Sequence, residues 1–388
     1  MHIGVVAGEA SGDLLGAGLI EAISQLEPAA TFSGVAGPRM QAAGCEAWED
    51  SEALAVMGLV EPLKELPRLL RLRRMLVDRW SAAPPDVFVG IDSPEFNLGV
   101  AARLKANGIR TLQYVSPQVW AWRQRRVQKI GRAVDCVLCL LPFEKTFYDQ
   151  HNVNAVVVGH PLADSQPEFA SRRDARQALG LPAEAQDRQV VTVMPGSRRG
   201  EVTRLGPVFA QSVAALDSRH RLAFVAPMAN SVASRTFSSA LSEHAPGVDV
   251  MLTDGDAPRA IVAADVVLLA SGTASLQTAL LQRPMVSAYR VAAGTYYLAR
   301  ALRLLKVPHF TMPNLLTKEP LVPEFLQHEA TPEALASAVG DLLADEPRRR
   351  SIETTFGELR GRLGLGANER AAEAVLELAR TAPAPVSR

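Results

Sequence analysis

Short apolar runs without polar alternation recur along this chain, each followed by a turn of small residues and a stretch with helical spacing. Residues 3–7, 86–91, 190–194 and 266–269 are the clearest runs. Their lack of alternation predicts strands covered on both faces of a parallel sheet. Residues 32–35, 113–115, 134–141, 155–158, 222–225, 249–252 and 285–288 read as further strands alternating with helices. A polar, Pro-bearing segment at 163–172 separates two such series. The pattern therefore predicts an α/β protein of two Rossmann-like domains facing each other across a cleft. Three helical stretches follow, 332–344, 347–363 and 368–381, and the Pro- and Ala-rich tail at 382–388 is expected to be disordered.

At 388 residues the chain is long for one hydrophobic core, which agrees with two domains. Basic and acidic residues both number 41, so the chain has no net charge and no global attraction to nucleic acid, which is not an expected partner. A hydrophobic content of 48% suits a folded protein and excludes a disordered one. Cys136 and Cys139 have C-x-x-C spacing, but three residues apart on a strand they point to opposite faces. Buried, reduced thiols of a cytoplasmic protein are expected, in place of a metal or redox pair. No secretory signal is visible, and the longest uncharged stretch, 266–282, carries Ser, Thr, Gly and Gln and does not read as a membrane span.

Candidate chemistry lies in the turns after the strands. At 270–274 a buried strand turns into a helix through Ala270, Ser271, Gly272, Thr273 and Ala274. Gly272 lets backbone N–H groups approach a ligand, Ser271 and Thr273 add hydroxyls, and the helix N-terminus attracts phosphate. An ordinary capped turn has the same composition. The device recurs at Pro195, Gly196, Ser197 and Arg198, where the arginine suits phosphate oxygens. Glycines at 8, 12 and 16 miss the dinucleotide spacing, which speaks against a nicotinamide cofactor, while Glu9 in that turn is a candidate ligand. Asp92 ends another strand, where a carboxylate can take a proton from a substrate hydroxyl or cap the next helix. Trp120 and Trp122 beside clustered arginines suit stacking on a ligand, an acyl lining, or packing under a loop. Between 61 and 80, leucines interleave with arginines around Pro67. That composition suits a sheet-covering helix or a helix on an anionic lipid surface.

Eight motifs, in order, resemble lipid A disaccharide synthase and span nearly the whole chain: 8–13 (GEASGD), 34–40 (GVAGPRM), 90–97 (GIDSPEFN), 114–123 (YVSPQVWAWR), 141–148 (LPFEKTFY), 195–198 (PGSR), 269–274 (LASGTA) and 313–316 (PNLL). The resemblance implies a GT-B glycosyltransferase joining UDP-2,3-diacylglucosamine to 2,3-diacylglucosamine 1-phosphate (lipid X). The products would be a β-1,6-linked disaccharide 1-phosphate and UDP, with no metal or other cofactor. It implies that Asp92 is the general base, that Pro195, Gly196, Ser197, Arg198 and the turn Ser271, Gly272, Thr273 and Ala274 hold the UDP phosphates, that Asn314 and Gln327 line the donor, and that Glu9 meets the sugars. Gln277 stands where the family pattern has Glu to bind ribose hydroxyls; an uncharged amide should bind more weakly. Residues 1–163 would bind the acceptor and face the membrane, 164–345 would bind the UDP-sugar, and helices in 346–381 would return to the first domain. Val56, Met57, Leu59, Leu69, Leu72 and Leu76 would dock the protein peripherally on the cytoplasmic face of the inner membrane, with self-association into a homodimer left open. The competing reading is a GT-B enzyme acting on soluble UDP-N-acetylglucosamine.

Overall fold

A computed structural model of the chain describes residues 1–54, 62–120, 124–165, 171–291 and 309–381. It resolves into two compact units, Met1–Asp164 together with the chain from Leu363 on, and Ser165–Arg362. In the first, β1 (His2–Ala7), β2 (Thr31–Ala36), β3 (Cys45–Asp50), β4 (Val87–Ile91), β5 (Arg110–Tyr114), β6 (Cys136–Cys139) and β7 (Ala155–Val157) form a sheet in the order β3-β2-β1-β4-β5-β6-β7. Helices α1 (Glu9–Leu26), α2 (Pro38–Ala42), α3 (Pro62–Ala82), α4 (Pro94–Ala106), α5 (Val127–Ala133), α6 (Pro142–Asp149) and α7 (Pro161–Asp164) alternate with the strands. The second unit opens with α8 (Arg172–Ala178) and α9 (Ala183–Gln186). Its strands β8 (Gln189–Met194), β9 (Leu222–Met228), β10 (Val250–Asp254), β11 (Val266–Ala270), β12 (Met285–Tyr289) and β13 (Glu324–Leu326) run in the order β10-β9-β8-β11-β12-β13. Between them lie α10 (Arg199–Asp217), α11 (Ser231–His244), α12 (Ala257–Ala263) and α13 (Thr273–Leu280). All described strand pairs in both sheets are parallel.

The unalternated apolar runs have a direct physical reason. Val5 of β1 packs with α1 (Leu19, Ile20, Ile23) and with the last helix, Ala367–Arg380, through Ala371 and Val375. Its neighbour Val6 faces the other way, toward Leu72, Leu76 and Trp80 of α3 and Phe96 and Val100 of α4. Both sides of the sheet are covered, so both parities of the strand are apolar. Cys136 and Cys139 divide in the same way between the two clusters, buried and free, and burial raises both thiol pKa values. The helices Pro332–Ala344 and Glu346–Leu363 belong almost wholly to the second unit; the last helix alone of the three packs on the first. β3 escapes the hydrophobic pattern because it is an edge strand whose Glu46, Ala47, Glu49 and Asp50 side chains reach toward water.

The amphipathic helix α3 runs through Pro67, and its 3.6-residue period decides which leucines are available. Leu72 and Leu76 are buried with Trp80 against the sheet, and Leu69 is half-buried on the same stripe. This corrects the assignment of Leu72 and Leu76 to a membrane-facing patch: they are core. The exposed leucines of this helix are Leu66 and Leu70, each 46% accessible. Val56, Met57 and Leu59 lie outside the described residues. Among the described residues no helix is long and apolar enough to cross a membrane.

Trp80 is the anchor of the α3 face. Fully buried, it meets Phe88 of β4 edge-on at 5.3 Å and Trp48 of β3 at 5.2 Å. Its indole fills the notch over Gly4 of β1, where an added Cβ would stand 2.9 Å from Cε2. Trp80→Ala should therefore cost about 3–5 kcal/mol, the range for deleting a large buried aromatic; urea unfolding of the two proteins checks this, and a loss below about 1 kcal/mol would contradict the packing described.

Candidate active site

In the first sheet the winding reverses between β1 and β4: β2 and β3 lie to one side, β5 to β7 to the other. Open α/β sheets bind ligands beyond the carboxyl ends of the strands at such a switch point. Ala7 pairs with Ile91, so the turns after β1 and β4 emerge side by side. They touch so closely that a Cβ on Gly8 would lie 2.2 Å from Ser93 Oγ, which only glycine avoids. Glu9 opens α1 here, though its side chain lies outside the described set. Beyond the close contact Asp92 and Ser93 both take left-handed backbone, φ 52 and 39. Asp tolerates this region better than most residues, yet each such residue still costs of order 1 kcal/mol.

Two buried amides hold that turn. Asn97 Nδ2 donates to the carbonyls of Val6 (3.3 Å), Ile91 (3.2 Å) and Asp92 (2.8 Å). Gln113 Nε2 donates to the same Asp92 carbonyl (3.0 Å) and to those of Tyr114 and Val115. Three carbonyl acceptors fix the orientation of the Asn97 amide, even at the expense of its buried Oδ1, which has no partner among the described residues. The Asp92 N–H meanwhile donates to Tyr114 O at 2.9 Å. With its backbone pinned at both ends, Asp92 carries a largely buried carboxyl whose pKa burial raises above the ordinary 3.8. The Ser93 N–H and the Ser11 hydroxyl, 3.5 Å from Oδ2, pull in the opposite direction. A carboxylate so placed is a stronger base than one in water.

Further along the same edge, the tryptophan-bearing segment and α6 interlock. Trp120 meets Phe143 edge-on at 4.8 Å, and Ser116 Oγ lies 3.1 Å from Tyr148 Oη. Trp122 and Arg123 lie outside the described residues. Glu144 is buried beside Trp120 and Ser116; desolvation pushes its pKa up to about 7, while the Leu141 N–H, donating at 3.0 Å, holds it down. Packing accounts for Trp120.

The second sheet has its own switch point, between β8 and β11. After β8 come Pro195 (buried), Gly196 at φ 119, and exposed Ser197 and Arg198. Glu201 Oε2 accepts from the Ser197 and Arg198 N–H groups (3.3 and 3.4 Å), so α10 carries its own carboxylate cap. Asn230 Nδ2 ties the Ser197 carbonyl to α11 at 3.0 Å. After β11 the turn is different. Gly272 and Thr273 are exposed, nothing stands within 4 Å of a Cβ built on Gly272, and α13 has no side-chain cap. Ala274 and Gln277 are half-buried, Gln277 one turn further along the face that begins with Thr273.

Behind this turn stands a built wall. Ser271 Oγ approaches Phe310 O (3.4 Å), and Glu324 holds residues 309–311 through the N–H groups of Phe310 and Thr311, the Thr311 hydroxyl and His309. Asn314, in the buried helix Met312–Leu316, gives Nδ2 to Val322 O and accepts from Leu321 and Val322 N–H, all within 2.9 Å. Gln327 does the same with Val291, accepting at 2.8 Å and donating at 3.2 Å. Both side chains are occupied with backbone and shape the wall instead of reaching out from it.

A family model described as lipid-A-disaccharide synthetase matches residues 3–377. The chain belongs to the lipid-A-disaccharide synthetase family. It is 48% identical over 381 residues to lipid-A-disaccharide synthase of Serratia proteamaculans, covering 98% of each chain. It is 51% identical to that of Alkalilimnicola ehrlichii, covering 98% and 99%. Among solved structures, MurG of Acinetobacter baumannii (TM-score 0.59, 14% identity, 97% and 99% covered) and the glycosyltransferase of kitacinnamycin (TM-score 0.64, 16% identity, 97% and 98% covered) share the fold, which is GT-B. Within this synthetase-family chain, sequence reasoning picked out both switch-point turns and Asp92 but not Asn97, Gln113, Glu201 or Glu324. The available signal was an amide in an otherwise apolar setting: Gln113 inside β5, and Asn97 directly after Phe96.

Asn97→Ala should remove one donor from each of three carbonyls and loosen the Asp92 turn, leaving Gln113 as the remaining amide on the Asp92 carbonyl. We expect kcat to fall roughly 10- to 100-fold, as small misplacements of reacting groups do, with UDP affinity unchanged. Steady-state kinetics beside UDP titration checks this, and an unchanged kcat would show that Asp92 holds its position without the amide.

Proposed function

We propose that the chain is the inverting glycosyltransferase that joins UDP-2,3-diacylglucosamine to lipid X, releasing UDP. The observation that carries this reading is Asp92: a desolvated carboxylate, its backbone pinned in left-handed conformation, at the switch point of the first sheet. The Asp92 carboxylate takes the proton of the acceptor 6-hydroxyl as that oxygen attacks the anomeric carbon. The bond from that carbon to the UDP oxygen breaks, and negative charge grows on the diphosphate. The open N-terminus of α13, at Gly272, Thr273 and Ala274, receives the phosphates, with Ser271 beside them. Arg198 and Ser197 add a charge and a hydroxyl, and Glu201 must share or yield its two N–H groups where a phosphate docks on α10. Gln277 accepts from the ribose, Asn314 and Gln327 hold the donor wall in shape, and Glu9 meets the sugars. The names of the curated relatives support the same reaction.

Both substrates carry acyl chains, so the reaction belongs at a membrane surface. Exposed Leu66 and Leu70, beside exposed Arg71 and Arg74, suit peripheral attachment to an anionic bilayer at the cytoplasmic face of the inner membrane.

UDP release from UDP-2,3-diacylglucosamine should require lipid X and fall by about 10²–10⁴ in Asp92→Asn, with UDP binding retained. Because the base acts deprotonated and its pKa is raised, kcat/KM should climb with pH through a midpoint above 3.8. Persistence of release in the variant would move the base elsewhere. Absence of release from the wild type, together with activity on UDP-N-acetylglucosamine, would favour the soluble-sugar enzyme.

Replacing Leu66 and Leu70 together by Ser should reduce cosedimentation with phosphatidylglycerol vesicles several-fold while leaving UDP binding intact. Unchanged cosedimentation would remove the two leucines from the attachment surface.

A further inference from the structure

Among the described residues Arg73 of α3 has no acidic partner. Its guanidinium lies over the Phe96 ring of α4, Cζ 5.4 Å from the ring centre. Gly99 makes room for it: a Cβ there would stand 2.8 Å from Cζ. Arg103, one turn further along α4, folds back to the same spot, Nη1 donating to Gly99 O at 3.1 Å. Among the described residues neither arginine has a carboxylate within ion-pair distance, and Arg73 Nε is buried with no hydrogen-bond partner. Burial, then the neighbouring Arg103 charge, pulls the Arg73 pKa below the ordinary arginine value. The Phe96 face offsets part of that cost, but two converging cations form an arrangement that an anion completes.

Position narrows the anion. Phe96 lies in the first turn of α4, which starts two residues after Asp92. At about 1.5 Å per helical residue, the Arg73 guanidinium stands roughly 10 Å from the Asp92 turn. Leu66, Leu70 and Arg73 fall at i, i+4 and i+7 on α3, so an exposed apolar stripe runs up to the arginine. A ligand matching this surface has an acyl-bearing body, a phosphate at one end and a reactive hydroxyl at the other.

We propose that Arg73 and Arg103 form a subsite for the phosphate monoester of the acylated sugar acceptor, fixing the sugar so that the hydroxyl across the ring meets Asp92. This rests on the transferase reading above. With Leu66 and Leu70 at the bilayer, the acceptor's acyl chains can stay in the lipid beside α3, and the phosphate group sets which end of the sugar reaches the base.

The test compares lipid X with 2,3-diacylglucosamine lacking the phosphate, both in neutral detergent micelles, for the wild type, Arg73→Gln, Arg73→Lys and Arg103→Gln. The wild type should favour the phosphorylated acceptor in kcat/KM. Arg73→Gln should lose at least tenfold on lipid X, chiefly through KM, and stay within about twofold of the wild type on the phosphate-free acceptor. Arg73→Lys should recover part of the loss, and Arg103→Gln should shift the preference in the same direction. Equal losses on both acceptors, or none on either, overturn the subsite. So does an unchanged acceptor preference alongside weaker binding of the variants to phosphatidylglycerol than to phosphatidylcholine vesicles, since the pair would then read a bilayer headgroup. A wild type that releases no UDP with either acceptor overturns the transferase reading and the subsite together.

Discussion

Gly8 and Ser93 sit where two parallel strands end side by side, and the candidate site of the first unit depends on how closely their turns approach. With β1 and β4 in register at Ala7 and Ile91, the chain leaving each strand must clear the other. It does so by having no side chain at position 8 and by swinging Asp92 and Ser93 into left-handed backbone. That swing is unfavourable for two consecutive non-glycine residues, so something must hold it. Asn97 reaches back from the first turn of α4 and Gln113 across from β5, and both donate to the one carbonyl whose direction fixes the turn. Crowding, strain and clamp form one unit, and the carboxyl they hold is the one proposed above as the base.

The second unit solves a different problem with the same strand–turn–helix device. α10 begins with a basic turn but satisfies its own N–H groups with Glu201, so its field is already partly answered. α13 begins with Gly272, uncapped and with open space around it. Two turns of similar composition thus differ in what they offer: one supplies an arginine beside a filled cap, the other supplies free donors. For charge that appears only when a leaving group departs, unfilled donors are worth more, since nothing has to move aside.

Much of this was legible in the sequence. The apolar runs gave the parallel strands because both faces of each central strand are covered, and the small-residue turns marked the switch points because close approach demands them. Asp92 stood out by position at a strand end. The partners of Asp92 did not, since nothing local to Asn97 or Gln113 says that three carbonyls will converge on each. Asn314 and Gln327 were expected near the donor; what the sequence did not show is that their amides are engaged by the backbone of Val322, Leu321 and Val291. Gln277 was visible as a departure from the family pattern, and its place on α13 agrees with a face turned toward Thr273 without restoring the missing charge.

The misreading of Leu72 and Leu76 has a geometric origin that also explains what α3 is for. At 1.5 Å per residue a helix of 21 residues is about 31 Å long, while the five residues of β4 span roughly 17 Å. Trp80, packed on Phe88 and Gly4 at the start of the strands, fixes which end overhangs. From Trp80 back to Leu69 the helix has sheet beneath it and buries its apolar stripe; toward the helix start Leu70 and Leu66 are exposed. One amphipathic pattern therefore does two jobs along its length, and composition alone cannot mark where the first gives way to the second. Arg73 lies about one helical turn inside that boundary, on the part of α3 that the core still holds, with its guanidinium against α4 near Phe96 and Gly99.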